Sequence, residues 1–439
     1  MRTHRRLSGG GGGGVGGTRA GVPRANGRAI VDDGGEWYPL GLTFMWSLQG
    51  ARNEPDRYRA NLEWAAAHGF DYKRPLYEVA WAPPLEINPA TFPDHLGAIA
   101  RDLDLSWSLG LRSGITLSGK GTGYDLPRLA RDVGGVIADG REAAVLLVEM
   151  QNEYDNGGDP LSTLEAMARE IDPQIRNLIG LSRLSGGATQ EETDRKFQEM
   201  RAAYRRVGAL AFIRHTERGN GDHGWRDVRQ AWDFHNDTGF VGADWEGPGP
   251  GSSGSVLTDP LRLAMKRAIA IMCGAPIFTL HTGTGVYGNG APSSSGAPRP
   301  PNFWEIDNID RIVEAVRSVA ALLPAGLPNW QQANTQWVPP NPVAPFQPHN
   351  HWEGDTGDGV NKAYSALAPD GRVIQMPCGV RGRVRLTASY RLTGVTVFDP
   401  LTLAPLPDFS DRSVGQGEVL ELPGGGTSAD VAYIIHGRR

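Results

Sequence analysis

The chain has 439 residues, 39% of them apolar and 21% charged, with a net charge of −5. That is enough apolar residue for a large core, without the basic excess that would make nucleic acid the main partner. Two cysteines, Cys273 and Cys378, exclude a disulfide framework and a Cys-rich metal site and read as free thiols. No run approaches the roughly 18–20 apolar residues of a membrane span, so no membrane partner is expected.

Residues 1–27 open with Arg2, Arg5 and Arg6, but Gly9–Gly14 follows where a secretory signal would carry an apolar segment. They read as a flexible glycine-rich leader, or as a remnant of the start site. A soluble protein is expected, either cytoplasmic or joined to a virion or surface assembly through the leader.

From residue 28 to 325, short apolar runs alternate with amphipathic segments. The strand candidates are Tyr38–Ser47, Asp71–Val79, Arg112–Ser118, Ala143–Met150, Asn177–Leu184, Leu210–His215, Phe240–Asp244 and Pro276–His281. Helical stretches follow them at Asp56–His68, Asp94–Leu109, Asp125–Asp139, Leu161–Ile171, Gln190–Val207, Trp225–His235, Leu257–Met272 and Asp307–Leu323. Eight βα units within about 290 residues predict an α/β fold, a (β/α)₈ TIM barrel. An open doubly wound sheet would place a Gly-rich phosphate turn after an early strand, where Trp46-Ser47-Leu48-Gln49 stands instead.

Prolines 324, 328, 339, 340, 342, 345 and 348 make residues 326–348 a proline-rich connection over the surface. Beyond it, residues 349–439 hold six short β-type runs: Lys362–Leu367, Val373–Pro377, Val384–Tyr390, Val395–Phe398, Val419–Leu422 and Val431–Ile435. They predict a small antiparallel β-sandwich packed on the barrel.

Working residues of such a barrel sit just past the C-terminal ends of its strands. Two carboxylates stand there: Glu153 after the fourth strand, in VLLVEMQNEYDN, and Glu246 after the seventh, in FVGADWEGPG. Carboxyls facing each other across a sugar-sized gap are what glycoside hydrolysis needs, one protonated to release the leaving oxygen and one ionised. Glu217, after the sixth strand, is the rival for either role, and Glu149, inside the fourth, reads as a support for the site or as the partner of an arginine.

An Asn-Glu ending on strand four with a Glu ending strand seven resembles the 4/7 superfamily of retaining glycoside hydrolases, clan A. The resemblance covers residues 28–325, and a C-terminal β-sandwich is a common appendage there. It implies Glu153 as acid/base and Glu246 as nucleophile, Asn152 on the sugar 2-hydroxyl, and Arg74 of YKRPLY beside the nucleophile. The chain departs from the pattern in three places, one of them strand six, where His215 could stand for the aromatic residue that often supports the nucleophile but without a clean motif. Thr116, Ser118 and Lys120 stand where many members carry a His after strand three, and His281-Thr282 where a Trp commonly ends strand eight.

Twelve tryptophans are many for this length, and aromatic faces at a barrel mouth suit pyranose rings. Trp46, Tyr154, Trp245 and Tyr287, with His215 and His281, are therefore expected to line the substrate. His215, His223 and His235 are too irregularly spaced for a metal site, and no cofactor is expected. The function these features predict is cleavage of O-glycosidic bonds in a β-linked poly- or oligosaccharide with retention. The alternative is a barrel that binds glycan without turning it over, as part of a virion or surface assembly.

Overall fold

The computed structural model describes residues 19–80, 86–119, 122–155, 158–182, 190–208, 211–215, 241–245, 259–288, 301–335, 343–348, 363–379, 384–424 and 431–439. Three short antiparallel strands come first: β1 (Arg24–Asn26), β2 (Ala29–Asp32) and β3 (Gly35–Trp37). All eight expected barrel positions follow: β4 (Leu40–Thr43), β5 with β6 (Tyr72–Arg74, Leu76–Glu78), β7 (Arg112–Ser118), β8 (Val145–Gln151), β9 (Leu178–Ser182), β10 (Ala211–His215), β11 (Val241–Trp245) and β12 (Ile277–Leu280).

Their ladders run parallel in the order β10-β11-β12-β4-β5-β7-β8-β9, with β6 beside β7. The two end strands of that order, β9 and β10, lie against each other, so the sheet curls into the (β/α)₈ barrel. Parallel strands are covered on both faces, which is why VLLVEMQ of β8 is buried along its whole length, polar residues included.

The helices are α1 (Ser47–Asn53), α2 (Pro55–Ala67), α3 (His95–Ser108), α4 (Leu126–Ala138), α5 (Leu161–Ile171), α6 (Gln190–Val207), α7 (Pro260–Met272), α8 (Gly283–Tyr287) and α9 (Ile309–Ser318). In α4 the buried residues Leu126, Leu129, Ala130, Val133 and Ile137 repeat at three and four, forming one stripe toward the sheet. Asp125 caps it by accepting from the Arg128 amide, and Asp259 caps α7 just ahead of Pro260. The helix expected over Trp225–His235 lies outside the described residues.

At the lower end of the barrel the Tyr72 ring fills the interior, its hydroxyl 2.5 Å from Thr279 Oγ1. The ring fits because Gly41 has no side chain: a Cβ there would stand 2.2 Å from Tyr72 Cζ. Gly41→Ala should therefore overpack the barrel and destabilise it by about 1–3 kcal/mol. Urea unfolding measures this, and an unchanged midpoint would mean that the ring can move aside.

Strands β1–β3 attach at the N-terminal end of β7. Arg112 donates to the carbonyls of Arg19 and Gly21 at 2.7 and 3.0 Å, and to Asp32 at 3.0 Å. Asp32 also pairs with Arg19 at 2.8 Å. The folded chain thus begins upstream of residue 28, inside the stretch read as leader. Contacts over 80 residues or more in sequence secure it, and composition carries no trace of those.

The C-terminal strands form two antiparallel sheets. One holds β13 (Gln331–Thr335), β15 (Ala363–Leu367), β16 (Arg372–Pro377), β21 (Ile434–Arg438), β18 (Leu392–Phe398) and β19 (Arg412–Val414). The other holds β14 (Phe346–Pro348), β17 (Val384–Ala388) and β20 (Val419–Leu422). The sandwich expected from the sequence is present, but it starts earlier than residue 349. β13 occupies the proline-free stretch between Pro328 and Pro339 and pairs with β15 throughout, and β14 ends on Pro348. Proline content hid both strands, although proline is tolerated at strand ends and edges. Tyr364, Ile374, Met376 and Ile434 share one buried cluster with Leu263, Ile271 and Val316 of the barrel helices. The Gln332 amide donates to the Met272 carbonyl at 2.6 Å, tying the sandwich to the end of α7.

Candidate active site

Alternate residues of a barrel strand face inward, and on strands two to four they build two polar layers. In the lower layer Arg74 donates to Glu149 Oε2 at 3.0 Å, and the Thr116 hydroxyl donates to the same oxygen at 2.6 Å. Arg74 and Glu149 are both fully buried, and the guanidinium also donates to Asn152 Oδ1 at 2.9 Å. Arg74 thereby joins the second strand to the residue that precedes Glu153. Glu149 has the arginine partner expected of it.

In the upper layer the Ser118 hydroxyl donates to Glu78 Oε2 at 2.6 Å and the Thr122 amide to Glu78 Oε1 at 2.5 Å. The Gln151 amide donates to Ser118 Oγ at 3.3 Å. Glu78 was not among the expected site residues. The signal was present, since Glu78 lies four residues beyond Arg74 in DYKRPLYEV, on the same strand face and one residue before the end of the run. Burial raises the Glu78 carboxyl above its ordinary 4.5, against the lowering effect of its two donors. A group whose folded pKa is raised adds stability that is present below 4.5 and lost as pH rises through the folded value. Glu78→Gln should flatten that part of the stability profile, measured as melting temperature against pH. A variant with the wild-type slope would assign the slope to another group.

Past β8 the chain turns sharply. Asn152 is buried and its amide donates to the Ser118 carbonyl at 2.8 Å, extending the β7–β8 ladder by one step. Glu153 then adopts φ 49°, a left-handed conformation that disfavours a residue with a Cβ by about 1–2 kcal/mol. Tyr154 follows, its amide donating to Ser182 Oγ at the end of β9, 3.1 Å away. Asp155 pairs with Lys196 of α6 at 3.6 Å. Burial, and then the charge of Asp155, raise the pKa of the Tyr154 hydroxyl, so it stays neutral and able to donate. Strained backbone of this kind concentrates at functional sites, where neighbouring contacts hold it.

The other expected residues fall into four groups. His281 follows β12, with its Nδ1 3.0 Å from the hydroxyl of Thr43 at the end of β4, so the first and eighth strands meet there. Trp46 is 2% exposed. The Arg57 guanidinium lies 4.6 Å from its ring centroid, and Tyr58 crosses it edge-on at 5.4 Å. A Cβ at Gly288 would stand 2.2 Å from Trp46 Cδ2, so the ring has no open face left for a sugar. Trp46 therefore packs the first strand's end instead of lining substrate, a role set by α2 and α8 closing over it. His215 and Trp245 are the last residues of β10 and β11 and stand opposite each other in the ladder, and Tyr287 ends α8. Glu246 and Glu217 lie outside the described residues, as do Lys120, His223 and His235. Among the described residues no group of His, Cys, Asp and Glu is placed to hold a metal ion. No described helix is long and apolar enough to cross a membrane.

The sequence matches no family profile and no curated protein. By structure the chain is similar to a protein described as a glycoside hydrolase, at a TM-score of 0.62 and 11% identity, with 95% of this chain and 97% of that one covered. A family 5 glycoside hydrolase from Bacteroides vulgatus is similar at a TM-score of 0.62 and 12% identity, covering 95% of this chain and 93% of that one. The chain shares the fold of these glycoside hydrolases. A GH27 β-L-arabinopyranosidase from Geobacillus stearothermophilus is similar at a TM-score of 0.50 and 11% identity, over 91% and 97% of the two chains. Coverage of this extent takes in the sandwich as well as the barrel, so the likeness in fold extends to the two-part architecture.

Proposed function

We propose that the chain is a retaining glycoside hydrolase that cleaves a β-linked poly- or oligosaccharide, with Glu153 as acid/base and Glu246 as nucleophile. The observation that carries this reading is the end of β8. There Asn152 is held by a buried arginine of strand two, and Glu153, itself in a strained left-handed conformation, turns out of the strand at the face where barrel chemistry occurs. The similarity in fold to glycoside hydrolases supports it.

In the first step the Glu246 carboxylate attacks the anomeric carbon and the C–O bond to the leaving group breaks, while Glu153 delivers its proton to the departing oxygen. In the second, water attacks the same carbon, Glu153 takes its proton, and Glu246 leaves as carboxylate. Asn152, fixed through its side-chain oxygen by Arg74, keeps its amide hydrogens for the sugar 2-hydroxyl. His215, Trp245, Tyr154, Tyr287 and His281 would line the sugar, and a carbohydrate is the partner this chemistry requires.

The test is a panel of polysaccharides and aryl β-glycosides with reducing-end detection, followed by the anomeric configuration of the first product by NMR. Retained configuration is expected, as is a separation of about 5–5.5 Å between the two carboxyls in a crystal structure. Inverted product, with carboxyls nearer 8 Å, would replace the mechanism. Sugar binding without release of reducing ends would leave a glycan-binding barrel in its place.

A further inference from the structure

The loop that carries Glu153 leaves β8 at Gln151 and is closed at its base by that same residue. Gln151 Nε2 donates to Asp159 Oδ2 at 2.7 Å, and the Asp159 amide donates back to Gln151 Oε1 at 2.9 Å. Both ends of the Gln151 amide are thus committed to one residue eight positions on, and its remaining donor bond goes to Ser118 Oγ at 3.3 Å. Inside the loop the Gly158 amide donates to the Tyr154 carbonyl at 3.1 Å. A Cβ at Gly158 would stand 2.6 Å from Gln151 Oε1 and 2.8 Å from Tyr154 Cα, so the closure needs glycine there. Glu153, with its φ of 49°, sits within this closed turn.

We propose that the reciprocal Gln151–Asp159 pair positions Glu153, clamping the base of its loop so that the carboxyl is held where a leaving oxygen must be protonated. This rests on the reading of Glu153 as the acid/base group. Gln151 and Asp159 are positioning residues: the Gln151 amide is spent on Asp159 and Ser118, and the pair acts through the backbone between them. A left-handed glutamate persists only where its surroundings over-determine it. The neighbouring anchors, Asn152 to Ser118 and Tyr154 to Ser182, hold single backbone amides. Among the described contacts, the Gln151–Asp159 pair is the one that joins the two ends of the loop.

The experiment compares wild type with Gln151→Leu, Asp159→Ala, Gly158→Ala and Asp159→Asn in the full chain. The probes are a set of alkyl β-glycosides and the matching dinitrophenyl β-glycosides. Displacing a general acid by about 1 Å costs on the order of 10²-fold, and only substrates that need a proton feel it. The first three variants should lose about that factor in kcat/KM on alkyl glycosides and stay near wild type on dinitrophenyl ones, with a shifted alkaline limb of the pH profile. Asp159→Asn keeps an acceptor oxygen for Gln151 and should retain most of the alkyl activity. A loss equal on both leaving groups, or wild-type rates and pH profile in all variants, overturns the clamp. Should the buried Gln151→Leu variant fail to fold, the half-buried Asp159 pair of variants decides alone. A wild-type protein inactive on every glycoside overturns the hydrolase reading and this role with it. An active wild type with losses independent of leaving group overturns the clamp only.

Discussion

Alanine at Glu246 should abolish turnover of every glycoside, whereas alanine at Glu153 should fail selectively. Without Glu246 no carboxylate remains to form the glycosyl-enzyme, and activated and unactivated substrates stop alike. Without Glu153 the nucleophile survives but no proton reaches the leaving oxygen. Substrates with poor leaving groups should slow by about 10²–10⁴-fold, the usual contribution of a positioned acid. A dinitrophenyl glycoside leaves without protonation, so the intermediate should still form and then wait for a base to activate water. Azide needs no deprotonation and should relieve that wait. The product from Glu153→Ala should be a glycosyl azide of retained configuration, because azide replaces water in the second displacement. From Glu246→Ala any azide product forms by a single displacement and is inverted. NMR of the two azides therefore assigns the roles. Exchanged stereochemistry would exchange the residues, and wild-type rates in both variants would move the site elsewhere, with Glu217 the first residue to test.

Removing Arg74 should be the most destabilising single change in the barrel interior. Its guanidinium and the Glu149 carboxylate are both fully buried and 3.0 Å apart. Removing one partner of a buried ion pair costs about 3–5 kcal/mol, whereas replacing both by apolar groups of similar volume is often close to neutral. Arg74→Met alone, and Glu149→Leu alone, should each lower the urea midpoint strongly, and the double variant should recover most of the loss. Losses that add in the double variant would show that the pair is not coupled. Catalysis should not recover in the double variant, because Asn152 loses its Arg74 donor in either case. Stability and activity therefore separate in one series, with the melting curve reporting the ion pair and kcat/KM the orientation of Asn152.

The opposite layer of the same strand makes a useful contrast. On the outer face of β5 and β6, Lys73 donates to Asp102 and to the Tyr58 hydroxyl, and Tyr77 donates to the other oxygen of Asp102 at 3.1 Å. These groups are as buried as Arg74 and Glu149, yet they lie under α2 and α3, away from the barrel mouth. Burial of charge alone therefore does not mark the site. What marks it is burial on the inward face at the strand's C-terminal end.

The sequence by itself determined the barrel, because the alternation of apolar runs with helical periods is local and survives any detail of packing. The segments Leu161–Ile171 and Gln190–Val207 are helices with the boundaries their patterns predict, and all eight strand candidates are strands. The position of Glu153 and Arg74 at strand ends was legible for the same reason. Tertiary structure decided what depends on register and closure. Trp46 is a packing residue because α2 and α8 close over it, and β13 is a strand because β15, some way on in sequence, pairs with it. Glu78, Ser118 and Gln151 form a layer only because three strands align their alternate residues at one height. Period and propensity act over a few residues, whereas a hydrogen-bond partner across a barrel is chosen by the shear and stagger of the whole sheet.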